Sequence, residues 1–597
     1  MRTFFESIKK AGHLFSPEKL FVRAITAWTI ACIVVAANSS IIMTDKKFLT
    51  NESVALTAVL TAVCFVALNL ASYVLNRFGL RRIEYESLLL LFCALIYFSY
   101  CLLLDSDVWL TLSLCALISL CCVYAYDKNK SILPSRDVGK KGSVCVVTVF
   151  AVSVFGIIAL IGVFRCLTFS APNYDLGIFT NTAYNLKTKF IQYNTCERDK
   201  LITHFQVHIS PVLYLVTPFY YLFPSEKTLQ VIQAVVVSSS VIPVYLICKS
   251  RKFSNKLTVV LCFVSVFFPA LSTGTFYDFH ENAFLPAFIL WMIYFYEKKK
   301  TVPMFIFAML TLSVKEDASV YVAFFGLYLL TQKGDRVKGL VLSAISVFYV
   351  LCCVWFINKY GFGAMTGRFK DYITDERLGL IGIAATVFLD PIYAIKNCMS
   401  SEKLEFVFQM TAPLMFLPFV TKKYTRFILL CPMILMNLMP SYQYQHSIYF
   451  QYIFGTAPLL LYLALINAGE LSQNVKRKTL CCCVCVTTLC FCAFVLPKTY
   501  YISKYYSSPE KYQCITEVLE AVPDDASVSA SAFYVPYLAN RDVIYETEYT
   551  DKTTEYIVYD LRYDHDKKKE TKLDRSEYEE VVRHENLVAV YRLRSEG

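Results

Sequence analysis

Six short polar stretches hold the side chains that could do chemistry: "NYDLGIF" (173–179), "HFQVH" (204–208), "TFYDFHENAF" (275–284), "VKED" (314–317), "GRFKDY" (367–372) and "YQYQHSIY" (442–449). Asp175 is a carboxylate just past an apolar run, placed to take a proton from a hydroxyl or to shape the "APNYD" turn. Asp278, His280 and Glu281 put three ionisable groups within four residues, a set suited to an acceptor or a metal. His204 and His208 share one face if helical and could present two metal ligands or satisfy backbone carbonyls. Lys315, Glu316 and Asp317 form a tip that is a binding element or a solvated turn. Lys315 and Arg368 could meet a phosphate. His446 lies among Tyr442, Tyr444 and Tyr449; an interfacial aromatic belt accounts for the tyrosines, and sugar stacking is the other reading.

These groups are set in a very apolar chain. Of 597 residues, 56% are hydrophobic and 18% charged, with a mean hydropathy of +0.47; soluble domains run nearer 25% charged. The excess comes from repeated apolar runs long enough to cross a bilayer. The reading is an α-helical polytopic membrane protein with about fifteen spans, near 22–43, 53–75, 87–104, 108–126, 143–167, 226–248, 257–273, 283–297, 302–314, 318–331, 339–358, 404–420, 427–440, 449–466 and 480–496. The net charge of +11 does not indicate nucleic acid, because Lys and Arg collect in short connections in the positive-inside pattern. Many of the 23 cysteines, as in "CCCVCVTTLCFC" (481–492), fall inside spans and act as small apolar fillers.

The basic connections "NRFGLRR" (76–82), "DKNKSILPSRDVGKK" (127–141), "KSRKFSNK" (249–256), "QKGDRVK" (332–338) and "QNVKRK" (473–478) mark the cytoplasmic side. The N-terminus is then cytoplasmic and the C-terminus extracytoplasmic, and all six polar stretches face out. Segments 210–223 and 379–397, the latter broken at Asp390–Pro391, read as interfacial elements that do not cross. The expected organisation is a four-span N-terminal bundle (1–142), a core (143–497) with an outer loop (168–210), and an extracytoplasmic α/β domain (498–597). That last domain opens with "SSPEKYQCITEVLEAV" as a helix capped by Ser507 or Ser508. The strand-like runs "ASVSAS", "DVIYE", "YIVYDLR" and "NLVAVYRL" follow, with "DHDKKKETKLDR" as a solvated loop or helix face.

At "YDLGIF", "HFQVHISPVLYLVTPFYYLFPS", "YDFHENAF", "VKED" and "VPDDASVSASAFYVPYLANR", the chain resembles an uncharacterised prokaryotic multi-pass family, a domain of unknown function, over roughly residues 150–597. That family is similar to the GT-C glycosyltransferases, which take sugar from a polyprenyl-phosphate carrier on the non-cytoplasmic side. The resemblance implies a GT-C-like fold, Asp175 at the first acidic position and Asp278 with Glu281 at the second, although Leu176 stands where a paired acid usually follows. It implies the bilayer, a polyprenyl-phosphate-linked sugar and an envelope glycan, lipid or protein acceptor as partners. The cofactor stays open, a divalent metal included. A transporter or flippase is the alternative from another class, since ionisable groups at membrane depth also mark transport paths; an envelope sensor is a third.

Overall fold

The structure is a computed structural model, and it describes residues 14–39, 43–49, 51–78, 84–129, 138–363, 366–373, 377 and 379–594. The basic connections at 79–83 and 130–137, on which part of the orientation argument rests, lie outside the described residues, as does the N-terminus through residue 13.

The first five helices are α1 (Pro17–Asn38), α2 (Asn51–Arg77), α3 (Tyr85–Leu104), α4 (Val108–Asn129) and α5 (Lys140–Leu167). Their sequences are apolar nearly all round, the pattern of helices that face lipid or each other. On α2, Val59, Val63, Val66 and Leu70 are each at least 60% exposed, and no soluble protein leaves such a stripe in water. Then come α6 (Ile178–Lys189), α7 (Glu226–Ser239), α8 (Val241–Ser250), α9 (Asn255–Val266), α10 (Leu285–Glu297), α11 (Thr301–Leu312), α12 (Ala318–Leu330) and α13 (Arg336–Tyr360). They are followed by α14 (Gly379–Leu389), α15 (Pro391–Asn397), α16 (Ser401–Thr411), α17 (Thr456–Glu470), α18 (Gln473–Phe494) and α19 (Pro509–Leu519).

By length and composition, eight helical stretches among the described residues could cross a membrane: α1 to α5, α7 continued by α8, α13, and α18 with the turns after it. This is fewer than the fifteen apolar runs. Hydropathy counts side chains, whereas an unbroken helix also needs every backbone N–H. The 257–273 run breaks at Phe268–Pro269, 404–420 breaks into short turns at Pro413 and Pro418 with left-handed Met415 and Phe416, and 427–440 winds as tight and wide turns around Pro432. Helix α11 has 12 residues and α12 has 13, about 18–20 Å at 1.5 Å per residue, short of a ~30 Å hydrocarbon core. The 210–223 and 379–397 segments form only short helices. In the latter, the Asp390 carboxylate accepts from Tyr393 N at 3.0 Å and starts α15.

The C-terminal region folds as a five-stranded mixed sheet, in order β4-β3-β5-β7-β6, packed against α19. The strands are β3 (Val528–Ala530), β4 (Ile544–Glu546), β5 (Tyr556–Asp560), β6 (Tyr578–His584) and β7 (Val588–Leu593); β1 (Tyr193–Asn194) and β2 (Ile202–Thr203) pair in the 168–210 connection. Strands β4, β3 and β5 run parallel, and β6 and β7 antiparallel. Strand β6 arises from "YEEVVRH", whose five polar or charged residues hide it from an apolar pattern. The capping box at the start of α19 does not form: Ser508 is the N-cap without a side-chain bond, and Ser507 Oγ donates back to Lys504 O.

The parallel strands make their ligand crevice at their carboxyl ends, as open α/β sheets do. Here that crevice is filled by the chain leaving α5. Phe169 turns left-handed (φ 45°) and buries its ring in the sheet's core, edge-on to Tyr534 at 5.4 Å. Arg562, at the end of β5, donates to Thr168 O (3.2 Å) and Phe169 O (2.9 Å). Glu546, at the end of β4, accepts from Asn173 Nδ2 at 2.8 Å, both groups buried.

Candidate active site

The stretch after Pro172 winds as one wide turn, Asn173–Gly177, that runs into α6. Gly177 is required because Asn173 and Val535, the latter from a short helix of the C-terminal domain, crowd its Cα: a Cβ would collide with Asn173 Oδ1 and stand 2.9 Å from Val535 Cγ1. Farther along, Asn181 donates to Ala539 O (3.0 Å) and Arg541 O (2.7 Å), while its own oxygen accepts from Thr195 N (3.0 Å). Thr195 pairs with both backbone groups of Ile544. Asp175 is therefore carried on a turn whose two flanks are bonded to the sheet.

Four of the six polar stretches meet beneath that turn. Phe179, one helical turn on from Asp175, places its ring 5.5 Å from His204 and 5.3 Å from His280. The His204 and His208 rings are 5.9 Å apart. Each holds a carboxylate through Nδ1: His204 with Glu197 at 3.0 Å and His208 with Glu316 at 2.7 Å. The second oxygen of Glu316 accepts from Ile209 N at 3.0 Å. The two histidines sit at the start and end of one tight turn, His208 N donating to His204 O at 2.8 Å, and not on a continuous helix. Among the described residues no three His, Cys, Asp or Glu side chains are grouped to hold a metal.

Glu281 is fully buried. One of its oxygens accepts from Ser210 Oγ at 3.3 Å and lies 3.4 Å from Lys315 Nζ; the other is buried without a hydrogen bond. Lys315 is only 4% exposed, so the 314–317 tip is no solvated turn, and its charge is matched by Glu281. Asp278 is gripped by Arg165 through both oxygens (3.0 and 3.2 Å) and accepts from Gln230 at 3.0 Å. Arg165 also donates to Tyr501 at 2.9 Å. Asp317 is half-buried, with Oδ1 buried and unbonded.

Two members stand apart. His446 pairs away from the acidic group, 3.6 Å from the exposed Glu402. Arg368 lies with its guanidinium 5.0 Å above both Tyr442 and Tyr452.

The electrostatics separate the carboxylates. Burial would raise Glu281 and Glu316, but the charges beside them win: His280 and Lys315 hold Glu281 well below the usual range, and His208 with Lys315 holds Glu316 at about 2. Burial raises Asp278 to about 6 despite Arg165. Asp175 is pushed up to about 8, first by burial and then by the negative charges of Glu281 and Asp278. Its carboxylate makes no hydrogen bond or ion pair among the described residues, and it is half-buried. Glu197, Asp278, Glu281 and Glu316 have partners, whereas neither Asp175 nor Asp317 has a side-chain hydrogen bond or ion pair among the described residues. Of these two, Asp175 is the one carried on the turn held by the C-terminal sheet, with an easily protonated carboxylate.

Sequence spacing missed Glu197, Arg165, Gln230, Ser210 and Glu546. Arg165 had one readable signal, a charge inside an apolar run, which calls for a partner. The others are ordinary polar residues in loops or helices until the fold brings them in.

The model of a family of predicted membrane proteins, DUF2079, matches residues 165–586, more than half of the chain. The chain belongs to the DUF2079 family. The match begins at Arg165 and ends before β7, so it includes the whole acidic group and strands β3 to β6, and leaves out helices α1 to α4 and most of α5. No curated protein matches this DUF2079 member. Among solved structures, ArnT from Cupriavidus metallidurans bound to undecaprenyl phosphate matches at 9% identity with a TM-score of 0.43, covering 77% of this chain and 99% of that one.

Proposed function

We propose that this membrane protein is a glycosyltransferase of GT-C type that moves a sugar from a polyprenyl-phosphate donor to an envelope acceptor on the outer face. The supporting observation is Asp175, a carboxylate of the group without a hydrogen bond or ion pair among the described residues, on a turn fixed from both sides. In the proposed reaction an acceptor hydroxyl oxygen bonds to the sugar's anomeric carbon as the bond from that carbon to the phosphate oxygen breaks. The hydroxyl proton passes to Asp175, and the phosphate leaves with the electron pair. A base works best with a pKa near the working pH, and a value of about 8 for Asp175 suits that role.

Arg368 is assigned to the departing phosphate, whose developing charge a guanidinium can meet through paired donors. Lys315, paired to Glu281, is assigned to holding that carboxylate. Asp278, His280 and Glu281, with the pairs His204–Glu197 and His208–Glu316, form the floor on which the acceptor rests. The basic connections support a cytoplasmic N-terminus, which puts the site and the C-terminal sheet outside.

The test compares a deletion strain carrying the wild-type chain with one carrying Asp175→Asn, by mass spectrometry of envelope glycans and lipid-linked sugars. The expected result is one missing glycan and an accumulated lipid-linked donor in the mutant. Identical profiles at equal protein levels would remove Asp175 from any transfer reaction.

A further inference from the structure

A run of aromatic rings leads away from the acidic group. Tyr277, next to Asp278, lies 4.8 Å from Phe450; Phe450 is 4.4 Å from Tyr444, and Tyr444 is 5.0 Å from Tyr442. Tyr442 continues to Tyr452 at 6.1 Å. The run ends on Arg368, centred 5.0 Å over both of those rings, with Nη2 donating to the Tyr452 hydroxyl at 3.3 Å. Tyr442 and Tyr444 are 39% and 36% exposed, so ring surface is open along the run.

This arrangement differs from an interfacial belt. Belt aromatics are spread around a protein's perimeter at headgroup level; here five rings form one continuous wall with a carboxylate group at one end and a guanidinium at the other. The wall is also held rigidly from behind. Buried Asn437 donates to Gln445 O (2.7 Å) and Tyr452 O (3.1 Å), fixing the two turns that carry the rings. Ser441 donates to Arg368 O through both its backbone N (2.9 Å) and its Oγ (3.1 Å), tying the arginine's helical turn to the same scaffold. Besides burial, the charges of Asp175 and Asp278 push the Tyr277 phenol up.

We infer that this wall is the sugar subsite of the lipid-linked donor: the pyranose lies against the Tyr442–Tyr444–Phe450 rings while its phosphate meets Arg368. Sugar rings present apolar C–H faces that aromatic surfaces can cover, and the cation at the end of the wall complements the single phosphodiester charge. The inference rests on the donor class named above, and it adds a site that recognises the sugar separately from the phosphate.

The test is binding, with no turnover required. The full-length purified chain in nanodiscs is titrated with three probes: a polyprenyl phosphate, the same lipid carrying a hexose, and phosphatidylglycerol. Tyr444→Ala is expected to weaken the hexose-bearing lipid by about tenfold and to leave the sugarless polyprenyl phosphate unchanged. Arg368→Ala is expected to weaken both polyprenyl lipids. Tyr444→Phe, which keeps the ring, should bind as wild type does and so shows that any loss is not misfolding. Equal loss for all three lipids in Tyr444→Ala, or no loss, would make the wall a bilayer anchor and overturn the inference. No preference of the wild-type chain for the hexose-bearing lipid over phosphatidylglycerol would overturn it as well. If the selective pattern holds while Asp175→Asn leaves the envelope glycans unchanged, the sugar subsite stands and the transfer reaction falls.

Discussion

The core is joined to its two flanking regions in opposite ways. The C-terminal sheet is attached by directional bonds between buried groups: Asn173 to Glu546, Asn181 to Ala539 and Arg541, Thr195 to Ile544, and Arg562 to the 168–169 carbonyls. The N-terminal bundle is attached by α4 lying along α18, where small thiols face each other, as with Cys115 and Cys490 at 3.7 Å. The polar bonds on that side are partly exposed ones at its rims, Trp109 to Glu405 and Lys478 to Asp127. Apolar contact holds two helices together but tolerates sliding and small substitutions. A buried donor without its acceptor carries a penalty of about 1–3 kcal/mol, so the C-terminal contact fixes one geometry. That contact surrounds the turn bearing Asp175. The sheet therefore holds that turn, and the family match starts at Arg165, after α1 to α4.

Removing each region gives the largest test of this contrast. Deleting 509–597 is expected to abolish transfer entirely, because the 168–195 segment loses its partners. Deleting 1–138 is expected to reduce membrane yield while the protein that remains keeps activity within several-fold; activity assays normalised to folded protein decide it. Total loss in both deletions would break the comparison.

Single substitutions sharpen it. Thr195→Val leaves Ile544 N and O without their partner and should destabilise by about 1–3 kcal/mol, read as a lower melting temperature in detergent. Asn173→Leu removes the bond to Glu546 and misplaces the base, so kcat should fall by at least about tenfold, or ~1.4 kcal/mol of barrier, with KM little changed. At the other contact, Cys490→Ala should shift stability by less than about 1 kcal/mol and leave activity as it was.

The pH dependence follows from Asp175. Its pKa is raised to about 8 in the fold against about 3.9 unfolded, so between those values the folded state binds the extra proton. Stability from this group is present at low pH and is lost as pH rises through about 8. Transfer needs the ionised form and should rise over the same range. Asp175→Asn should consequently melt higher than wild type at pH 9 while being inactive. A wild-type rate profile flat from pH 6 to 9 would mean that Asp175 does not set the rate.

The sequence by itself determined the class of protein and which polar stretches are candidates for a site. A polytopic helical membrane protein is legible because a bilayer imposes apolar length, and length can be counted. The polar stretches stood out because charge is costly beside such runs. The C-terminal α/β unit was readable from its turn residues and most of its strands, though β6 escaped because a strand with both faces polar carries no alternation. Tertiary structure decided the rest. Continuous helix depends on backbone bonds that prolines interrupt, so apolar runs overstate unbroken spans. Which acid remains unpaired depends on partners far away in sequence: Arg165 reaches Asp278, and Lys315 reaches Glu281, because packing puts them within hydrogen-bonding distance. No local spacing encodes those encounters, and among the described residues they leave the carboxylates of Asp175 and Asp317 without a partner.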